Sequence, residues 1–227
     1  MHIFSRFFSS VALISILSAF GLSSSFAATL QTSAGEAGNQ AWSGVGLEFA
    51  VNSAISVTSI GIWDDGGNGF AATSTNPLSA FLMTTSGGVL ASATFYDTSP
   101  GGPVQSGGYR FISLGSAVTL LPGNYFLMGY SWTANDQEHN SNVNGTPDTF
   151  VTSALVSFVQ SAWTATGSEA PGTLPTSFGT INYFSSANIE FAEASAVPLP
   201  AALPLFATGL GALGLYGWRR KRKANAA

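Results

Sequence analysis

Leu121-Pro122-Gly123-Asn124-Tyr125-Phe126-Leu127-Met128-Gly129-Tyr130-Ser131-Trp132 is a turn running into a strand. Pro122 presets φ and Gly123 tolerates the positive φ of a type II turn, so the chain reverses here. Side chains then alternate along an extended segment, which puts Phe126, Met128, Tyr130 and Trp132 on one face. The same grammar recurs on both sides. Ser86-Gly87-Gly88 supplies a hairpin turn, and Val89, Ala91, Ala93 and Phe95 behind it share a face. Gly, Ser, Thr and Asn punctuate the rest at intervals of about 8–12 residues, with β-branched and aromatic runs between. The pattern predicts strands over residues 46–51, 55–63, 80–85, 89–96, 109–114, 125–132, 154–159 and 188–191. About eight short strands with long loops, and no helix-period stretch among them, predict an all-β, jelly-roll-like β-sandwich over residues 28–196.

Charge divides the chain further. Of 7 basic residues in 227, only Arg110 lies between residues 28 and 196, whereas all 11 acidic residues do. That segment therefore carries a formal charge of −10, against −4 for the whole chain. A surface of that sign repels nucleic acid and anionic headgroups. With no cysteine, disulfides, thiol catalysis and zinc–thiolate sites are excluded.

The remaining positive charge sits in two apolar ends. Residues 1–27 read as a secretory signal: Arg6, an apolar stretch over 11–22, then Ser25 and Ala27 as the small residues before a cut between Ala27 and Ala28. Sec-type export and signal peptidase are the expected partners. At the other end, residues 197–227 form three parts in order: Val197-Pro198-Leu199-Pro200-Ala201, an uncharged apolar run over 201–218, and Arg219-Arg220-Lys221-Arg222-Lys223. Its 18 apolar residues, at a rise of ~1.5 Å each, would extend about 27 Å, close to the ~30 Å hydrocarbon core. The basic cluster would stay cytoplasmic and leave the body outside. Pro198 and Pro200 hold the preceding segment extended and without backbone donors, a form a protease can grip.

This order of proline motif, span and basic cluster, over residues 197–223, resembles the PEP-CTERM sorting signals of Gram-negative bacteria. Leu199 stands where the commonest form has glutamate. The resemblance implies a membrane protease of the exosortase type as partner, processing near the proline motif, transient inner-membrane anchoring, and a destination at the cell surface or in an exopolysaccharide matrix. A permanent anchor is the alternative. Residues 42–130 also resemble a secreted bacterial domain without an assigned activity. The matching segments are Gly61-Ile62-Trp63-Asp64-Asp65-Gly66-Gly67-Asn68-Gly69, Gly108-Tyr109-Arg110-Phe111 and Leu121-Pro122-Gly123-Asn124-Tyr125.

Within the body the chemistry is sparse. Asp64, Asp65 and Asn68 in a Gly-rich loop are the metal candidates, because calcium takes six to eight oxygens and such loops supply them. Against an EF-hand, Gly66 fails at position three and Thr75 at position twelve, so only a looser calcium site completed by another loop is open. The alternative is a solvated loop. Asp136, Glu138 and His139 form a polar cluster in the long loop 133–148, where a solvated histidine is expected. One histidine builds no catalytic zinc set, no Gly-x-Ser-x-Gly elbow occurs, and a lysine-free body has no P-loop. Trp63 and Trp132, at strand ends with apolar neighbours, are expected in the core; Trp42 and Trp163, in polar surroundings, are candidates for stacking on a glycan. The expectation is a non-enzymatic, exported surface protein with no catalytic residue and no obligate cofactor. A carbohydrate-binding module, with or without calcium, is the alternative, and a secreted polysaccharide hydrolase ranks after it.

Overall fold

The computed structural model describes residues 27–97, 104–143, 145–151 and 153–194, together with Leu210. Apart from Ala27, Ala28 and Leu210, the two expected terminal signals lie outside the described residues, as does the proline motif Val197–Ala201. Among the described residues, no helix is long and apolar enough to cross a membrane.

The described body, residues 27–194, is all-β, and every strand pair in it is antiparallel. One sheet runs in the order β1 (Ala28–Thr29), β15 (Ala187–Glu193), β4 (Ile55–Trp63), β8 (Tyr109–Leu120), β7 (Val104–Ser106). The other runs β13 (Ser177–Gly179), β12 (Val156–Trp163), β3 (Val45–Val51), β9 (Gly123–Tyr130), β5 (Leu78–Thr84), β6 (Val89–Phe95). Two short ribbons pair β10 (His139–Asn140) with β14 (Phe184–Ser185) and β2 (Gln31–Thr32) with β11 (Thr149–Phe150). The arrangement is that of a β-sandwich. Each of the eight strands read from the sequence overlaps one observed strand, and the others are two or three residues long, too short to carry a period.

The core lies between the sheets. Val45, Leu47, Phe49 and Val51 of β3 face Ile60, Ile62, Ile189 and Phe191 from the opposite sheet within one buried cluster. In β4 the inward set changes parity, from Ile55 and Val57 to Ile60 and Ile62. The cause is a bulge at Thr58, which neither neighbouring strand pairs. An extra residue shifts every later side chain to the other face. Opposite it, β8 swings out over residues 114–117 and then resumes pairing at Val118, so the strand runs six residues beyond the expected end at Leu114.

The face expected on β9 needs a correction. Phe126, Met128 and Tyr130 do share a face, but it is the outer one. Met83, Ala162 and the half-buried Phe81 and Leu174 cover it as a second apolar cluster. Trp132 leaves that face because Ser131 takes a positive φ of 69°. The chain flips there, and Trp132 enters the main core. Gly129 makes room for it: a Cβ at 129 would stand 2.3 Å from the Ser186 hydroxyl and 3.2 Å from the Trp132 ring.

The sandwich has two unlike ends. Val51, Gly123 and Val156 meet at one end, where Ile55 pairs with both Leu120 and Glu193. Ala28 pairs with Phe191 near this end too, so the described body both begins and ends here. Val45, Trp63, Tyr109, Trp163 and Ala187 define the other end. There the long loops 33–44, 64–77, 131–138 and 164–176 gather.

Candidate functional site

At the loop end, Trp42 and Trp163 line one cleft of about 150 Å³. They are 121 positions apart in the chain. Pairing of β3 with β12, which sets Val45 opposite Trp163, brings them together. Tyr183 and Phe184 extend the aromatic wall, with Trp163 and Phe184 edge to face at 5.8 Å and Tyr183 and Phe184 at 6.2 Å.

The Trp42 platform is fixed from behind. The Trp42 indole N–H donates to the Thr164 carbonyl at 3.2 Å. One face of the indole rests on Gly167, whose φ is +70° and where a Cβ would stand 2.5 Å from ring carbon Cδ2. Only glycine satisfies both conditions.

The polar side of the cleft is built from amides. Gln40 exchanges two backbone hydrogen bonds with Glu138, at 2.9 and 3.2 Å. The Asn140 side-chain N–H donates to Gln40 Oε1 at 2.6 Å, and the Asn142 backbone N–H donates to Asn140 Oδ1 at 2.9 Å. Gln40, Asn140 and Asn142 all line the cleft, and among the described residues no carboxylate, lysine or arginine does. Apolar ring faces beside oriented, uncharged donors and acceptors suit a neutral polyhydroxylated ligand. Sequence reasoning singled out the two tryptophans but missed Tyr183 and the three amides; the Asn-rich run after His139 was the only local signal.

The acidic loop is solvated at Gly66 and Asn68, as expected, but Asp64 is not. Asp64 is 3% exposed and forms an ion pair with Arg110. The Gly69 N–H also donates to both of its oxygens, at 3.2 and 3.3 Å. Arg110 in turn donates to the Gly67 carbonyl at 3.1 Å and lies over the Phe70 ring. The acidic loop and the aromatic-Arg strand, separate motifs in the sequence, are therefore one unit, and Asp64 is committed to it. Asp65 begins a short 3₁₀ turn that ends at Gly67, with Asn68 following.

His139 is likewise buried, not solvated. Its Nδ1 lies 3.0 Å from the Ala37 carbonyl, which places the proton on Nδ1. Glu138 has no exposure, and neither carboxyl oxygen has a partner. Burial pushes its pKa up to about 9, so the group is neutral at pH 7. Behind it runs a buried network. Gln31 donates to the Tyr109 hydroxyl at 2.7 Å, Tyr109 donates to Asp148, and Ser185 donates to Asp148 at 2.8 Å. Burial raises both the Tyr109 and the Asp148 pKa. Among the described residues, no three Asp, Glu, His or Cys side chains converge as a metal set.

No protein-family model matches the chain, and no curated protein matches its sequence. The functional reading rests on the cleft.

Proposed function

We propose that this chain is an exported, non-enzymatic surface protein whose β-sandwich binds a neutral glycan in the Trp42–Trp163 cleft. The observation that carries the reading is the meeting of two distant tryptophans with Gln40, Asn140 and Asn142 in one uncharged cleft on a body of charge −10. The lining supports binding rather than hydrolysis, because glycoside hydrolysis needs a carboxylate pair beside the ligand. Strand order supports a jelly roll: β1-β15-β4-β8 facing β3-β9-β5-β6, with β12 and β13 as an added edge. Delivery is by the signal at 1–27 and a PEP-CTERM-like tail at 197–223, processed by an exosortase-type protease. The described body begins and ends opposite the cleft, which supports a domain presented with its cleft outward toward an exopolysaccharide.

The test is retention of the purified protein on a panel of neutral and charged polysaccharides, with mass spectrometry of the chain ends recovered from the native envelope. Saturable retention on a neutral polymer is expected, weakened at least tenfold by Trp42→Ala or Trp163→Ala. A new C-terminus near Pro198–Ala201 is expected alongside it. Equal behaviour of parent and both variants would sink the glycan reading, and an intact Lys223 retained in membranes would replace sorting by permanent anchoring.

A further inference from the structure

Between the loop after β4 and the loop after β9 lies a cavity of about 40 Å³, the size of one ion or one water. Asp65 and Asn68 line it from the first loop, Asn135 and Asp136 from the second. Asp136 is 7% exposed. Its Oδ1 accepts the Ala71 N–H at 2.8 Å, while Oδ2 is buried without a hydrogen-bond partner. A buried carboxylate oxygen left bare is costly, and the nearest arginine cannot relieve it, because Arg110 is committed to Asp64 and the Gly67 carbonyl. The aromatic rings at the cavity do not make an ammonium cage, since Trp63 and Trp132 are only 2% and 6% exposed and pack into the core.

We propose that this cavity is a calcium site, with Asp65, Asn68, Asn135 and Asp136 as side-chain ligands. Hard oxygen donors from two loops, two of them carboxylates and two amides, match the preference of calcium for mixed oxygen sets. Asp64 is not among the ligands. With two carboxylates the affinity belongs in the weak range of extracellular modules, ~10⁻⁴–10⁻³ M. The ion ties the loop after β9 to the loop after β4. The former continues into Asn140 and Asn142, so calcium also braces the amide side of the cleft.

The experiment is thermal unfolding of the full-length chain in detergent, in 10 mM calcium, 10 mM magnesium or EDTA. Calcium at about 10–100 times Kd should raise Tm by several degrees over EDTA. Magnesium, which resists dehydration and demands octahedral geometry, should give little. Asp136→Asn, isosteric and able to accept the Ala71 N–H through its amide oxygen, should abolish the rise. Asp97→Asn, an exposed acid outside the cavity, should keep it. Equal Tm in calcium and EDTA overturns the proposal, as does an undiminished rise in Asp136→Asn or an equal rise with magnesium. None of these readouts involves glycan, so the site stands or falls apart from the cleft's ligand.

Discussion

Replacing Arg110 with methionine isolates one buried charge. The Asp64 side chain is 1% exposed, whereas that of Arg110 is 21% exposed. Methionine keeps an apolar stem against Phe70 but removes the guanidinium, leaving the carboxylate with the Gly69 N–H alone. Breaking a buried pair from one side typically costs about 3–5 kcal/mol, because the surviving charge has lost both water and partner. For a domain of this size each kcal/mol lowers Tm by roughly 2–4 °C. Arg110→Met should therefore lower Tm by roughly 6–20 °C in a calorimetric or circular-dichroism melt. The double variant Arg110→Met/Asp64→Asn removes the stranded charge as well, and should recover most of the loss. That recovery separates the electrostatic account from lost packing on Phe70. A loss under about 1 kcal/mol in the single variant, or a double variant no more stable than the single one, would refute it.

Glu138 predicts a pH dependence of opposite sign to that of a paired acid. Its folded pKa of about 9 lies above the ordinary 4.5, so the native state holds its proton longer than the unfolded chain. Stability is then full below about pH 4.5 and falls as pH rises toward 9, by about 1.4 kcal/mol per pH unit. Glu138→Gln should melt like the parent at pH 4 and be roughly 3 kcal/mol more stable at pH 7 in EDTA; a gap independent of pH would contradict this. Gly129→Ala places a methyl 2.3 Å from the Ser186 hydroxyl and should cost about 1–3 kcal/mol by overpacking. Ser186→Ala in the same chain should return part of that, and urea titration of the parent, the single variant and the double variant measures it.

The strands were legible because their signals are local. Alternation at Val45, Leu47, Phe49 and Val51, and the turn at Gly87-Gly88, are each contained within a few residues; the type II turn expected at Pro122-Gly123 is instead a link between the two sheets, with Gly123 at a φ of 155°. Where alternation breaks, the reading failed for a physical reason. The flip at Ser131 sent Trp132 inward, and the outer face of β9 acquired a cover from residues more than thirty positions away, Leu174 among them. A two-state apolar/polar pattern cannot distinguish one covered face from two. Asp64 and His139 misled in the same way. A polar residue in a loop looks solvated until its partner, here Arg110 for Asp64 and the Ala37 carbonyl for His139, arrives from elsewhere in the chain.

The sequence by itself determined the all-β class, the positions of the eight long strands and the acidic, lysine-free character of the body, since period, turn chemistry and charge are properties of neighbouring residues or of composition. Only the tertiary structure decided which side chains share a site. Trp42 reaches Trp163 through the register of β3 on β12, and Asp136 reaches Asp65 across two loops at one end of the sandwich. Register is set by the packing of a whole buried face, so no short stretch of sequence contains it.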